Sequence, residues 1–155
     1  MRGWRLLDSK TLILDVLRDL GKREAIELRA GAADLDGTAI IAMERAVPAW
    51  DKQQDYTGWP VGSPVADEDQ VWTLITPHRA ADYEGRPSTL RALWNLCHTK
   101  DPAKAKPWVN PEGQSGMYMI GECYRAENGT VYRCKQDNCV WDANGLSSAW
   151  EEVQI

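Results

Sequence analysis

Hydrophobic and polar positions along this chain follow two different rhythms, and the change falls at Pro48. Before it, apolar residues recur at helical spacing. Asp8 or Ser9 can cap a first helix on which Ile13, Val16, Leu17 and Leu20 share one side, the spacing of a buried stripe. Gly21 is the expected stop, because glycine readily takes the left-handed conformation that ends helices. A shorter second helix fits Arg23 to Arg29 and ends at Gly31. A third starts after Asp36, whose carboxylate can accept from a first-turn amide. It carries Ile40, Met43 and Val47 and finishes before Pro48, whose ring forbids its continuation.

Helices this short cannot enclose a core by themselves and must dock on something. Leu12, Ile13, Leu14, Val16, Leu17 and Leu20 form a band wider than one face needs. The preferred expectation is a homo-oligomeric bundle, with a trimer the favoured stoichiometry. Packing on a neighbouring protein of a larger assembly and an intramolecular helix hairpin are the alternatives.

After Pro48 the rhythm shortens to that of strands. Glu122 to Ala126 alternates, Glu127-Asn128-Gly129 turns, and Thr130 to Cys134 returns. Asn-Gly between alternating runs predicts a two-residue hairpin turn with positive φ at both positions. Earlier in the chain, Asp67-Glu68-Asp69 takes that place between Pro64-Val65-Ala66 and the run Gln70 to Ile75. The landmarks of the two stretches keep one order. Trp50, Tyr56, Gly62, Val65, Trp72 and Trp94 run parallel to Trp108, Tyr118, Gly121, Tyr124, Tyr132 and Trp150. Conserved order with variable loops marks two copies of one supersecondary unit. Thr99 to Lys106 reads as a polar linker between them, and Arg86 to Ala92 is an expansion of the first copy for which a helical turn is one option. The expected class is therefore α+β: short N-terminal helices followed by two small Trp-rich antiparallel β-modules. The segments are 1–47, 48–98 and 107–155.

Composition sharpens this picture. The chain of 155 residues has eight Trp and five Tyr but no Phe, and all eight prolines lie from Pro48 onward. Trp and Tyr join a large apolar body to a polar tip, which suits small β-cores and partly polar ligands alike. The net charge of −5 argues against nucleic acid or an anionic membrane surface as partner. No apolar run is long enough to span a bilayer. Asp8 interrupts the N-terminus before a secretion signal can develop. Cys97, Cys123, Cys134 and Cys139 lack C-x-x-C spacing, so buried free thiols are favoured over zinc, and disulfides would need an oxidising compartment.

The Ala-Trp, Tyr, Gly, Asn-Gly and Val-Tyr-x-Cys landmarks, with a closing Trp, resemble carbohydrate-binding modules of family 5/12, the chitin-binding type. The second copy carries them at Trp108, Tyr118, Gly121, Asn128-Gly129, Tyr132, Cys134, Trp141 and Trp150. The first carries Ala49-Trp50, Tyr56, Gly62, Val65, Trp72, Tyr83 and Trp94 but departs at its turn and at Gly58-Trp59-Pro60-Val61. A short helical segment ending in Pro-Ala-Trp ahead of such modules also resembles small phage-tail and prophage proteins of Gram-positive bacteria.

The resemblance implies a platform aromatic at Tyr83 in the first copy and at Trp141 in the second, against which a sugar ring can lie flat. Polar candidates beside them are Asp82, Glu84, Asp142 and Asn144. Trp50, Trp72, Trp94, Trp108, Tyr132 and Trp150 are assigned to packing, and His78 to a buried hydrogen bond. For each platform ring, filling a gap in a small core is the competing assignment. Catalytic residues, metal ligands and cofactors are not called for, because no nucleophile elbow, phosphate loop or metal helix is present. The expected role is a non-enzymatic tail or baseplate protein of a virion assembled in the host cytoplasm. Its implied partners are other phage tail proteins and a cell-wall glycan. An accessory polysaccharide-binding protein of a glycan-degrading system is the alternative.

Overall fold

The structure, a computed structural model, describes residues 9–155; the cap expected at Asp8 lies outside them. Helix α1 (Ser9–Gly31) runs unbroken through Gly21, so the expected stop there and the separate helix at 23–29 are both corrected. Gly21 costs the helix about 1 kcal/mol relative to Ala, too little to break it when Lys22 to Glu27 are good helix formers. Two contacts hold its C-terminal end: Leu28 is buried, and the Arg29 guanidinium sits 3.9 Å over the Trp59 ring. Further back the same helix stands clear. Ile13, Val16, Leu17 and Leu20 are 57%, 50%, 57% and 46% exposed, so the intramolecular hairpin is also corrected.

Helix α2 (Gly37–Ala42) begins as the sequence indicates, with Asp36 Oδ1 accepting from the Ala39 amide at 2.8 Å. Ile40 and Ile41 drive into a cluster with Val71 and Cys97. The N-terminal segment thus covers the back of the first sheet, whose strands are β1 (Pro64–Asp67), β2 (Gln70–Leu74) and β3 (Trp94–Leu96). Because β2 is covered on both faces, Val71, Trp72 and Leu74 are all buried and simple alternation is lost. Its front face joins Tyr56, Val65, Trp72, Leu74 and Trp94 in one aromatic core.

The second sheet comprises β4 (Lys106–Pro107), β5 (Cys123–Arg125), β6 (Val131–Cys134) and β7 (Trp150–Val153), in that spatial order. Strand β4 is parallel to β5, while the other pairings are antiparallel. Tyr118, Tyr124, Cys134, Cys139 and Trp150 form its front core, and Ala105, Cys123 and Val131 its back. The stretch 99–106 is therefore no loose linker. Thr99 and Ala105 are buried, and the Asp101 carboxylate caps a 3-10 turn at Pro102–Lys104. It covers the second sheet much as α2 covers the first.

The two sheets share one hydrogen-bonding plan. Val65 faces Trp72 as Tyr124 faces Tyr132, and Leu74 faces Trp94 as Cys134 faces Trp150. Gly62 and Gly121, with φ of 93° and 91°, each donate to the carbonyl of the last residue of their hairpin's second strand, Leu74 of β2 and Cys134 of β6. The hairpins differ in an unexpected way. The Asn128-Gly129 turn places only Gly129 at positive φ, with the Ala126 amide donating to the Thr130 carbonyl across a wider loop. Glu68 and Asp69, lacking any glycine, are the pair that both adopt positive φ, 53° and 60°. Among the described residues no helix is long and apolar enough to cross a membrane.

Candidate functional site

Trp141 is the most exposed aromatic of the described chain, at 60%. Its backbone is held from inside. The Trp150 indole Nε1–H donates to the Trp141 carbonyl at 2.8 Å, and the Cys139 thiol donates to the same oxygen at 3.2 Å. Gly145 lies beneath the ring, where an added Cβ would come within 3.6 Å of Trp141 Cε3. The turn closing this loop is pinned by Asp142, whose Oδ1 accepts from the Gly145 amide at 2.8 Å. An exposed indole on an anchored loop needs little ordering to meet a flat apolar face.

Two neighbouring depressions flank this loop. One, of about 470 Å³, lies beside Trp141, Asp142, Asn110 and Trp108. The other, of about 740 Å³, is bordered by Trp108, Tyr124, Asn128, Asp142 and Asn144. Trp108 and Asp142 belong to both. The structure thus brings Trp141, Asp142 and Asn144 into one region. Trp108, assigned to packing, is only half-buried and forms the partition between the depressions. Its ring is stacked on Tyr118, with centroids 4.9 Å apart and planes at 8°, and Nε1 donates to Asn110 Oδ1 at 2.7 Å.

Tyr124, a landmark of the repeat in the sequence, was given no part in the site there. Its strand position and 3% exposure make it a core residue, yet its hydroxyl reaches the rim. There it accepts the Ala143 amide at 2.9 Å. Burial pushes the phenol above its ordinary pKa, so it stays protonated. Alternation of apolar positions carries no trace of such a tip.

In the first module Tyr83 is 41% exposed, with its ring edge-on to His78 at 5.5 Å. Lys52 Nζ donates to the Tyr83 carbonyl. Asp82, which ends a 3-10 turn at Ala80–Asp82, and Glu84 flank it, and both are exposed. His78 is buried and its Nδ1 lies 2.7 Å from the Thr76 carbonyl, as expected, while Nε2 has no partner among the described residues. Trp72, Trp94 and Trp150 are buried, whereas Trp50, Trp108 and Tyr132 are half-buried.

All four cysteines are free and buried. Burial pushes the Cys97 thiol up to about 12 and Cys134 to about 11, so they behave as small apolar side chains. Among the described residues no group of three or more His, Cys, Asp or Glu side chains could hold a metal ion. No family model matches the chain, and no curated protein matches it either.

Proposed function

We propose that this chain is a non-enzymatic binding and assembly protein of a phage-tail-like particle, whose second β-module meets a cell-wall glycan through Trp141. The observation that carries the reading is the exposed indole of Trp141 on a loop fixed from beneath by Trp150. A sugar ring offers a face of C–H groups to such a platform, and Asp142 and Asn144 supply polar partners for its hydroxyls. Tyr83, with Asp82 and Glu84, is the corresponding candidate of the first module.

Helix α1 provides the assembly half of the role. Its exposed row of Ile13, Val16, Leu17 and Leu20 is the kind of apolar surface that soluble chains cover by association. Further copies of this chain, in a trimer, are the proposed cover, with other tail proteins as neighbours in the particle.

Retention on chitin and on cell-wall preparations tests the binding half. Wild type is expected to be retained, Trp141→Ala to be lost, and Tyr83→Ala to have the smaller effect. Failure of the wild type to bind any wall glycan overturns the reading. Light scattering on the full chain tests the assembly half, and a monomer overturns it.

A further inference from the structure

The two modules part company at one place on their common plan. Ala49 bridges to Ala66 in parallel as Pro107 pairs with Arg125. Trp50 therefore corresponds to Trp108, Val65 to Tyr124, and Asp67-Glu68 to Ala126-Glu127. In the second module the ground over Trp108 and Tyr124 is an open groove of about 740 Å³. In the first module Arg86 reaches across the same ground. Its guanidinium lies 5.5 Å from the Trp50 ring, with Nε and Nη2 each 2.9 Å from an Asp67 carboxylate oxygen and Nε 3.0 Å from Glu68 Oε1.

We propose that the groove of the second module is a saccharide subsite extending from Trp141 past Trp108 to Asn128. It takes an uncharged chain of more than one sugar ring, while Arg86 fills the equivalent groove of the first module and silences it. This rests on the glycan-binding reading above and assigns it to one module, one ligand charge and one set of donors.

The groove is furnished for hydroxyl groups. The Tyr124 oxygen already accepts the Ala143 amide, and its own proton meets no acceptor among the described residues. That O–H is a donor pre-positioned at the groove wall by a residue that is otherwise part of the buried core. Val65 offers nothing comparable in the first module. Asn128 Oδ1 is spent on the Thr130 amide at 3.0 Å, which leaves its NH₂ group to donate. Asp142 keeps its second oxygen as an acceptor. Trp108, stacked on Tyr118 behind, offers an apolar wall common to both depressions, so successive rings of one chain can pass it on either side.

Charge selects the ligand. Glu127 and Asp142 border the groove, and its cation Arg125 is already engaged by the Ala105 carbonyl at 3.1 Å and by Asp69 at 3.3 Å. A uronate or phosphate-bearing polymer would meet two carboxylates and no uncommitted cation. A neutral saccharide meets only hydrogen-bonding partners.

Calorimetric titration of the full chain with a soluble neutral chito-oligosaccharide, and in parallel with an oligogalacturonate, tests this. Expected are one site per chain for the neutral probe, little dependence on salt and no binding of the anionic one. Tyr124→Phe removes only the hydroxyl and should weaken binding about tenfold, the worth of one well-placed hydrogen bond. Asn144→Ala, on the exposed rim, is the companion variant if Tyr124→Phe perturbs folding. Two equivalent sites, or wild-type affinity in both variants while Trp141→Ala abolishes binding, overturns the groove and leaves the platform standing. Binding of neither probe by wild type overturns both.

Discussion

Trp150 donates its indole proton to the carbonyl of Trp141 at 2.8 Å, whereas Trp94, its counterpart on the same plan, holds a buried Nε1–H with no acceptor among the described residues. One module spends its closing tryptophan on supporting a loop; the other uses it for packing alone.

Replacing each of these residues by Phe measures that bond. Both changes shrink a core side chain, but only Trp150→Phe removes a hydrogen bond, leaving the Trp141 carbonyl to the Cys139 thiol alone. Trp150→Phe should therefore cost about 1 kcal/mol more than Trp94→Phe in denaturant unfolding. Equal costs would mean that the bond to Trp141 contributes nothing.

Gly37 marks the seam between α2 and the junction of the two sheets. A Cβ there would stand 2.3 Å from the His98 carbonyl oxygen, an impossible approach without movement. Gly37→Ala should cost about 2 kcal/mol, in the range of overpacked cores. It should also speed amide exchange at Lys100, which donates to Thr38 Oγ1 at 3.0 Å. Unchanged exchange would show that α2 does not depend on this close approach.

His98 lies at the same junction, stacked on Tyr118 at 3.6 Å with Nε2 2.8 Å from the Gly116 carbonyl. Burial pulls its pKa down to about 4 from the ordinary 6.5. The unfolded chain then binds a proton that the folded chain refuses between those values. Stability is full above pH 6.5 and declines as pH falls towards 4, by about 3 kcal/mol for this group. Glu122 acts in the opposite sense, since burial raises its pKa and acidification relieves the cost of its charge. Unfolding free energy measured across pH 4 to 6.5 should slope less in His98→Phe than in wild type; an unaltered slope would remove His98 from the account.

The exposed row on α1 makes a fourth test. Leu17→Glu with Leu20→Glu places charges in the proposed contact between copies. Light scattering should show the wild-type assembly reduced to monomers, with the unfolding transition of the β-modules unchanged. An unaltered mass would place the contact elsewhere.

Much of the fold was legible because strands and turns leave local marks. Gly62 and Gly121 needed positive φ, and the aromatic order repeated with them. The cap at Asp36 was equally local, but the helix expected to carry Met43 and Val47 up to Pro48 stops at Ala42 and gives way to a 3-10 turn at Glu44–Ala46. What failed depended on distant neighbours. Gly21 did not end α1, because a helix continues through one weak residue when its far end is anchored by Leu28 and Arg29. Positive φ at both turn residues, expected at Asn128-Gly129, is found instead at Glu68-Asp69, for which no geometry was expected: Arg86, which pairs with Asp67 and Glu68, and Arg125, which pairs with Asp69, brace that strained turn from outside. The resemblance, rather than the spacing of apolar positions, pointed to Trp141 as an exposed ring. The groove beside it was not legible, since it exists only where no counterpart of Arg86 lies over the tryptophan.

The stretch joining the two modules is packed rather than slack: the Cys123 amide donates to the Thr99 carbonyl at 2.8 Å, and Gln70 Nε2 donates to the Pro107 carbonyl at 2.8 Å. A tether that cannot lengthen or swing cannot let the modules of one chain search a polymer independently. If copies associate through α1 as proposed, avidity on a repetitive surface comes from how many chains stand side by side, and its geometric reach is set by that association.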